Sequence, residues 1–237
     1  MKTTLVIVIL IIVNQISSSG QTAKEYFENG VTKIGNKDYT GAIADFGKAI
    51  SINSKLSSVY INRGSAKYML EDYRGAIADF TKEIELNPEF ATAYFNRASA
   101  RKRLGDIEGA QSDLSMTLKI NPNYDGAYIT RGKIKAELHD FYGSIADYTN
   151  EIKLNFNLAE SYYNRGIAKG YLEDYRGALD DFNNAINLST PDNGEPYLRR
   201  GLCLAILGKM EQACVDLRRA GDLGSKEAFE MIKKYCQ

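Results

Sequence analysis

The stretch Leu70–Phe80, LEDYRGAIADF, returns almost letter for letter at Leu172–Phe182 as LEDYRGALDDF. The two lie 102 residues apart, three steps of 34. A 34-residue ruler then accounts for most of the chain. Tyr26, Tyr60, Tyr94, Tyr128 and Tyr162 are evenly spaced, and Tyr197 follows after 35. Gly30, Gly64, Ala98, Gly132, Gly166 and Gly201 mark one small position; Ala42, Ala76, Ala110, Ser144, Ala178 and Ala213 mark another. Asp45, Asp79, Asp113, Asp147, Asp181 and Asp216 recur in all six copies, followed by Phe46, Phe80, Leu114, Tyr148, Phe182 and Leu217. One residue has been added around Thr190 to Gly194. A period of this length restricts the chain to a linear array in which each copy packs on its neighbours.

Each copy reads as two helices. In Ala76–Ile84, AIADFTKEI, apolar residues recur at three- and four-residue steps. Asp38, Asp72, Asp106, Asp140 and Asp174 stand in the turn between helices, where a carboxylate accepts from the free N–H groups opening the second helix. Asn53, Asn87, Asn121 and Asn155 stand where the second helix stops, a place for a left-handed residue, and Pro88 and Pro122 forbid continuation. No stretch of the repeats alternates with period two for long enough to suggest a sheet.

This pattern of aromatic, small residue, alanine, aromatic and proline, carried in the second copy by Tyr60, Gly64, Ala76, Phe80 and Pro88, resembles the tetratricopeptide repeat. The resemblance implies an all-α, right-handed α-solenoid of six helix-turn-helix repeats plus a C-terminal capping helix. The copies fall at about 23–56, 57–90, 91–124, 125–158, 159–193 and 194–227, with the cap at 228–237. Tyrosine stands throughout at the usual tryptophan position. Proline is missing at Ser54, Phe156, Thr190 and Ser225. Gly64 and Ala76 belong where two helices cross closely, with Tyr60 and Phe80 filling the space beside them. In the cap, AFEMIKKYC, Phe229, Met231, Ile232 and Tyr235 are expected on the stack, and Lys233 and Lys234 in water.

Arg63, Arg97, Arg131, Arg165 and Arg200 precede the small residue, and Asn29 replaces Arg in the first copy. Pairing each Arg with an Asp explains these half-buried charges better than an anion-binding ladder does. Counting copies suggests that the Asp of one copy reaches the Arg of the next, as in Asp45 with Arg63, which leaves Asp216 without a partner.

Composition narrows function. Lys plus Arg equals Asp plus Glu, 30 against 30, so no strong field draws the chain to nucleic acid or anionic lipid. His139 is the one histidine and has no second ligand at zinc spacing. No GxxxxGK[ST] loop and no GxSxG elbow occurs, and the acidic residues follow the ruler. The chain therefore reads as a non-enzyme without a cofactor. Lys2, the apolar run Leu5–Val13, and Ser18 and Gly20 follow the order of a secretory signal peptide over residues 1–20, and the apolar run is too short to span a bilayer. That order predicts export to the bacterial periplasm or beyond, with no membrane insertion after cleavage. There an oxidising environment permits one bridge, either Cys203–Cys214 or Cys214–Cys236; the alternative is that all three thiols pack as small apolar groups.

The resemblance implies that first helices line a concave face holding a peptide or a partner protein. Its rows are Phe27, Ile61, Phe95, Ile129, Tyr163 and Leu198, then Glu28, Asn62, Asn96, Thr130, Asn164 and Arg199. The candidate contact residues are Phe27, Asn62, Tyr68, Phe95, Asn96, Lys133, Tyr163, Asn164, Tyr171 and Arg199. Asparagine amides pair with peptide backbone through donor and acceptor. Members of the apolar row serve equally well as packing between neighbouring copies. A carboxylate clamp known in the family needs Lys, Asn and Arg over three copies. Asn96 fits, but Thr130 and Gly126 stand where Arg and Lys are needed, and Ile129 and Glu195 replace the lysines around Asn164 and Arg199. The sequence therefore predicts an interaction scaffold without that clamp. The alternatives are a structural part of an envelope complex and an accessory role in cell-wall metabolism.

Overall fold

The computed structural model describes residues 21–56, 58–155 and 158–236. The signal-peptide reading concerns residues 1–20, which lie outside these. The described residues form helices and no strand. In order they are α1 (Ala23–Gly35), α2 (Tyr39–Ile52), α3 (Val59–Met69), α4 (Tyr73–Leu86), α5 (Ala91–Arg103), α6 (Ile107–Ile120) and α7 (Ala127–Glu137). There follow α8 (Phe141–Leu154), α9 (Ala159–Tyr171), α10 (Tyr175–Leu188), α11 (Glu195–Ile206), α12 (Met210–Asp222) and α13 (Lys226–Tyr235). The fold is an all-α helical repeat solenoid. The chain divides into two compact units, Met1–Asp113 and Leu114–Gln237, a division that falls within α6. In the first unit α1 packs on α2, α2 on α3, α3 on α4 and α4 on α5. In the second, α7 to α13 from α7·α8 to α12·α13 are packed in the same sequential way.

The turns form for local reasons. Asp38, Asp72, Asp106, Asp140 and Asp174 each accept from the amide of a glycine three residues on, at 2.9–3.0 Å. Lys209 takes that place before α12 and makes no side-chain cap. The second helices end differently from the expectation. Asn53 and Asn155 are extended, with φ near −142° and −143°, not left-handed. The chain must leave extended to enter the next helix, so the side chain works instead: Asn53 Oδ1 accepts from Lys55 N and Asn121 Oδ1 from Asn123 N, both at 3.0 Å.

The small position sets the helix spacing. A Cβ on Gly64 would stand 2.6 Å from Phe80 Cε1, and one on Gly30 2.6 Å from Phe46 Cε1. The ring lies close against bare backbone, so Phe46, Phe80 and Phe182 are almost wholly buried without pushing the axes apart. Around Phe80 gather Ile61, Ala76, Ala93 and Ala100, which brings three helices into one cluster.

The recurrent aspartate is buried in every pair, and its partner is not the one that counting suggested. Arg63 grips Asp79 of its own pair with Nε and Nη2, at 2.9 and 2.6 Å. Arg97–Asp113, Arg131–Asp147, Arg165–Asp181 and Arg200–Asp216 repeat the bidentate fork. Asp216 is therefore partnered, and Asp45, whose own pair has Asn29, takes Lys33 at 2.6 Å. A second cation, Lys67, Arg101, Lys135 or Lys169, meets the same carboxylate in the four pairs between. Each arginine also lies over the tyrosine three residues before it, at 5.5–5.8 Å. The remaining Nη1 reaches back one pair, from Arg97 to Thr81 and from Arg165 to Thr149, both at 3.1 Å. One side chain thus ties its hairpin together and ties it to the hairpin before.

The last helix begins at Lys226, two residues earlier than the sequence suggested, with Ser225 capping Ala228 N. Ala228, Met231, Ile232 and Cys236 face Leu198, Leu217 and Ala220. Phe229 and Tyr235, expected on the stack, are exposed instead. A disulfide joins Cys214 to Cys236. The pairing Cys203–Cys214 does not form: Cys203 faces the preceding pair, where it is a buried free thiol beside Ala178 and Phe182.

Candidate functional site

In the first unit the apolar candidates pack inward. Phe27 meets Phe46 at 5.9 Å between ring centres, and Ile61 is buried. Asn62 spends its amide on its own helix, donating to Ser58 O at 2.7 Å. Phe95 is half-buried on α5. Tyr68 and Asn96, together with Ser65, Met69, Phe80 and Ser99, line a cleft of about 180 Å³ between α3 and α5. Tyr68, one wall of this cleft, rests edge-on against Tyr73, at 5.2 Å.

In the second unit the remaining candidates fall into two groups. Lys133 pairs with Glu160 of the next hairpin. Tyr171 is 67 % exposed and stacks on Phe141 at 4.6 Å, while His139 meets Phe141 edge-on at 5.8 Å. Tyr163 packs on Phe182 at 6.0 Å and donates its hydroxyl to Glu195 at 3.3 Å. Burial pushes the Tyr163 hydroxyl pKa up, against the opposing pull of Arg199, whose guanidinium donates to it.

Asn164 and Arg199 occupy one ruler position in successive first helices, and each buries a donor without a partner: Asn164 Nδ2 and Arg199 Nε. Buried donors left unpaired cost free energy, on the order of 1–3 kcal/mol each, and are uncommon outside places where something else supplies the acceptor. Beside Arg199 opens a cleft of about 440 Å³, walled by Ile167, Gly170, Tyr171, Tyr175, Leu202 and Ile206. A larger cleft, about 730 Å³, lies on the second-helix side between α10 and α12, where Leu204 replaces the second cation and Lys209 the capping aspartate.

Two buried glutamates escaped notice among the plentiful acids. Glu83 and Glu151 sit where other copies carry Ala49, Thr117 or Ala185. Glu151 accepts from Ile129 N at 3.2 Å, so the second helix caps the start of the first. Glu83 does the same towards Ser58 and Ile61; burial raises its carboxyl pKa, and those backbone amides oppose the shift. Both capped helices begin after a left-handed residue, Ser58 or Gly126, with no local side-chain cap. The signal was a charged residue at an otherwise small ruler position.

No helix among the described residues is long and apolar enough to cross a membrane. Comparison with curated proteins finds no match. Among solved structures, the chain is similar to YrrB, described as a TPR protein with an unusual peptide-binding site. The TM-score is 0.72 at 20% identity, over 80% of this chain and 97% of that one. It is also similar to the C-terminal part of a TPR repeat-containing protein from Cytophaga hutchinsonii, with TM-score 0.76 and 19% identity over 88% and 87% of the chains. MamA gives a TM-score of 0.67 at 20% identity, over 70% of this chain and 91% of that one. The tetratricopeptide repeat family matches residues 61–125 and 163–223, more than half of the chain. The chain belongs to the tetratricopeptide repeat family.

Proposed function

We propose that this protein is a non-catalytic scaffold that binds a peptide segment of a partner protein along the first helices of its second unit. The observation that carries the reading is the pair of buried, unpartnered donors, Asn164 Nδ2 and Arg199 Nε, at one repeat position in adjacent hairpins. An extended peptide presents carbonyl acceptors at regular intervals, which suits donors repeated at helix-pair spacing. YrrB, on a similar fold, has a peptide-binding site by its description. The leader-like order of residues 1–20 and the Cys214–Cys236 bridge support a place outside the cytoplasm, periplasmic or secreted. Capture from native envelope extract with the wild-type chain and with Asn164→Ala and Arg199→Met combined tests the reading. Partners lost by the double variant support it; an unchanged set of partners overturns it. A second reading, a structural part of an envelope complex using the other side, is favoured by the 730 Å³ cleft between α10 and α12. It predicts partners insensitive to the double variant and lost when Leu179 and Val215 are changed to Asp.

A further inference from the structure

The two clefts beside the first helices are one place in the repeat, read twice. Ser65, Met69 and Phe80 of the smaller correspond on the ruler to Ile167, Tyr171 and Phe182 of the larger, and Asn96 and Ser99 to Arg199 and Leu202. Tyr73 corresponds to Tyr175, the first residue of the second helix in each pair. The difference lies in what rests against that tyrosine. In the first unit the chain's own Tyr68 meets Tyr73 edge-on, and Arg103 lies over the same ring at 5.1 Å. In the second unit the residue in the place of Tyr68 is Gly170, and Ile206 stands for Arg103. A Cβ built on Gly170 meets nothing within 4 Å. The cleft grows from about 180 to about 440 Å³, and Tyr175 has no aromatic partner among the described residues. The corresponding place one hairpin earlier is filled differently: Ala136 leaves room at Phe141, and Tyr171 stacks there.

We infer that the cleft at Gly170 is the empty seat of a ring, and that it takes a phenylalanine or tyrosine side chain of the bound peptide. The inference rests on the peptide-binding reading and adds which residue the peptide must carry and where it goes. The seat supplies what an aromatic side chain needs: Tyr175 as an edge or face partner, Tyr171 as an outer wall held by its stack on Phe141, and Ile167, Leu202 and Ile206 as apolar lining. Arg199 lines the same cleft and places a guanidinium donor group beside a main-chain carbonyl next to the seated ring. The chain's second unit thus selects an aromatic anchor, while Tyr68 narrows the matching place in the first unit.

The test uses the mature full chain and two synthetic peptides, acetyl-Ala-Ala-Phe-Ala-Ala-amide and its all-alanine counterpart, titrated to millimolar concentration with amide chemical shifts as the readout. The phenylalanine peptide is expected to shift Gly170, Tyr175 and Leu202 and to bind about tenfold more tightly than the alanine peptide. Gly170→Tyr, which seats an internal ring as Tyr68 does, should abolish that preference while keeping the thermal midpoint. Gly170→Ala, which adds one methyl group in open space, should keep it. Tyr68→Gly should create a second set of shifts around Tyr73. Equal shifts from both peptides on the same first helices would sink the aromatic seat and leave the groove reading intact. A preference for phenylalanine that survives Gly170→Tyr, or no shift from either peptide, also overturns the seat; the groove reading is then decided separately by the capture experiment.

Discussion

Arg131 holds Asp147, sixteen residues on, with two parallel bonds of 2.9 and 2.7 Å, and its third nitrogen reaches Ser115 at 3.1 Å. The carboxylate is 2 % exposed and also accepts Lys135 at 2.8 Å. A buried charge with these partners is a fixture of the repeat and not a ligand contact.

Arg131→Met removes the fork and leaves Asp147 with Lys135 alone. Because an uncompensated buried charge is costly and one cation remains, the loss should be about 2–3 kcal/mol. It is read as a lowered denaturant midpoint at constant slope. Binding by the second unit should change much less than stability; a variant of wild-type stability that loses its partner would make Arg131 a contact residue.

Gly64→Ala places a methyl group 2.6 Å from Phe80 Cε1, and should cost about 1–2 kcal/mol after the gain in helix propensity is allowed for. Phe80→Leu alone leaves a cavity. The two together should cost less than their sum, by about 1 kcal/mol, because the third copy already carries that combination as Ala98 and Leu114. Strict additivity would show that ring and glycine are not in register.

Glu83 and Glu151 give stability a pH dependence of definite sign. Burial raises both carboxyl pKa values above 4.5, so the folded chain holds these protons more tightly than the unfolded chain does. Their contribution is greatest below pH 4.5 and declines as pH rises through the raised folded values. Glu83→Gln keeps an acceptor for the α3 amides and removes the ionisation. Its melting temperature should exceed that of the wild type at pH 7, with the gap closing towards pH 4.5. Glu83→Ala, lacking the cap, should be less stable at both. A gap that widens in acid would reverse the assignment.

The Cys214–Cys236 bridge closes a loop of 22 residues and pins α13 over the last pair. Cys236→Ser, or reduction of the wild type, should cost about 3 kcal/mol. The loss should appear first as protease cleavage near Gly224, since an end element is held by one neighbour only. Cys203→Ser should leave that cleavage pattern unchanged; a reductant effect that depends on Cys203 would place it in the bridge.

The 34-residue ruler, the two-helix reading of each copy and the aspartate caps were all legible, because each depends on residues close in sequence or on a repeated spacing. The partner of each recurrent aspartate was not. Counting copies allows Asp45 with Arg63 as readily as Arg63 with Asp79, and only the hairpin's own crossing brings the second pair together. Asn53 failed as a left-handed stop for a related reason: the direction in which the chain leaves a helix is dictated by where the next helix must lie. Among the candidate contacts, Asn62 turned to its own helix, while Asn164 and Arg199 kept a buried donor free, a distinction set by neighbours that the spacing does not name.

By itself the sequence determined that this chain is a stack of helical hairpins, since a small residue, a ring and a carboxylate at fixed spacing have one common solution in close-packed helices. The tertiary structure alone decided which cysteines join, which donors remain unpaired and that Gly170 widens a cleft that Tyr68 narrows. Those outcomes depend on a few ångströms between side chains of different hairpins, and no local pattern along the chain encodes such distances.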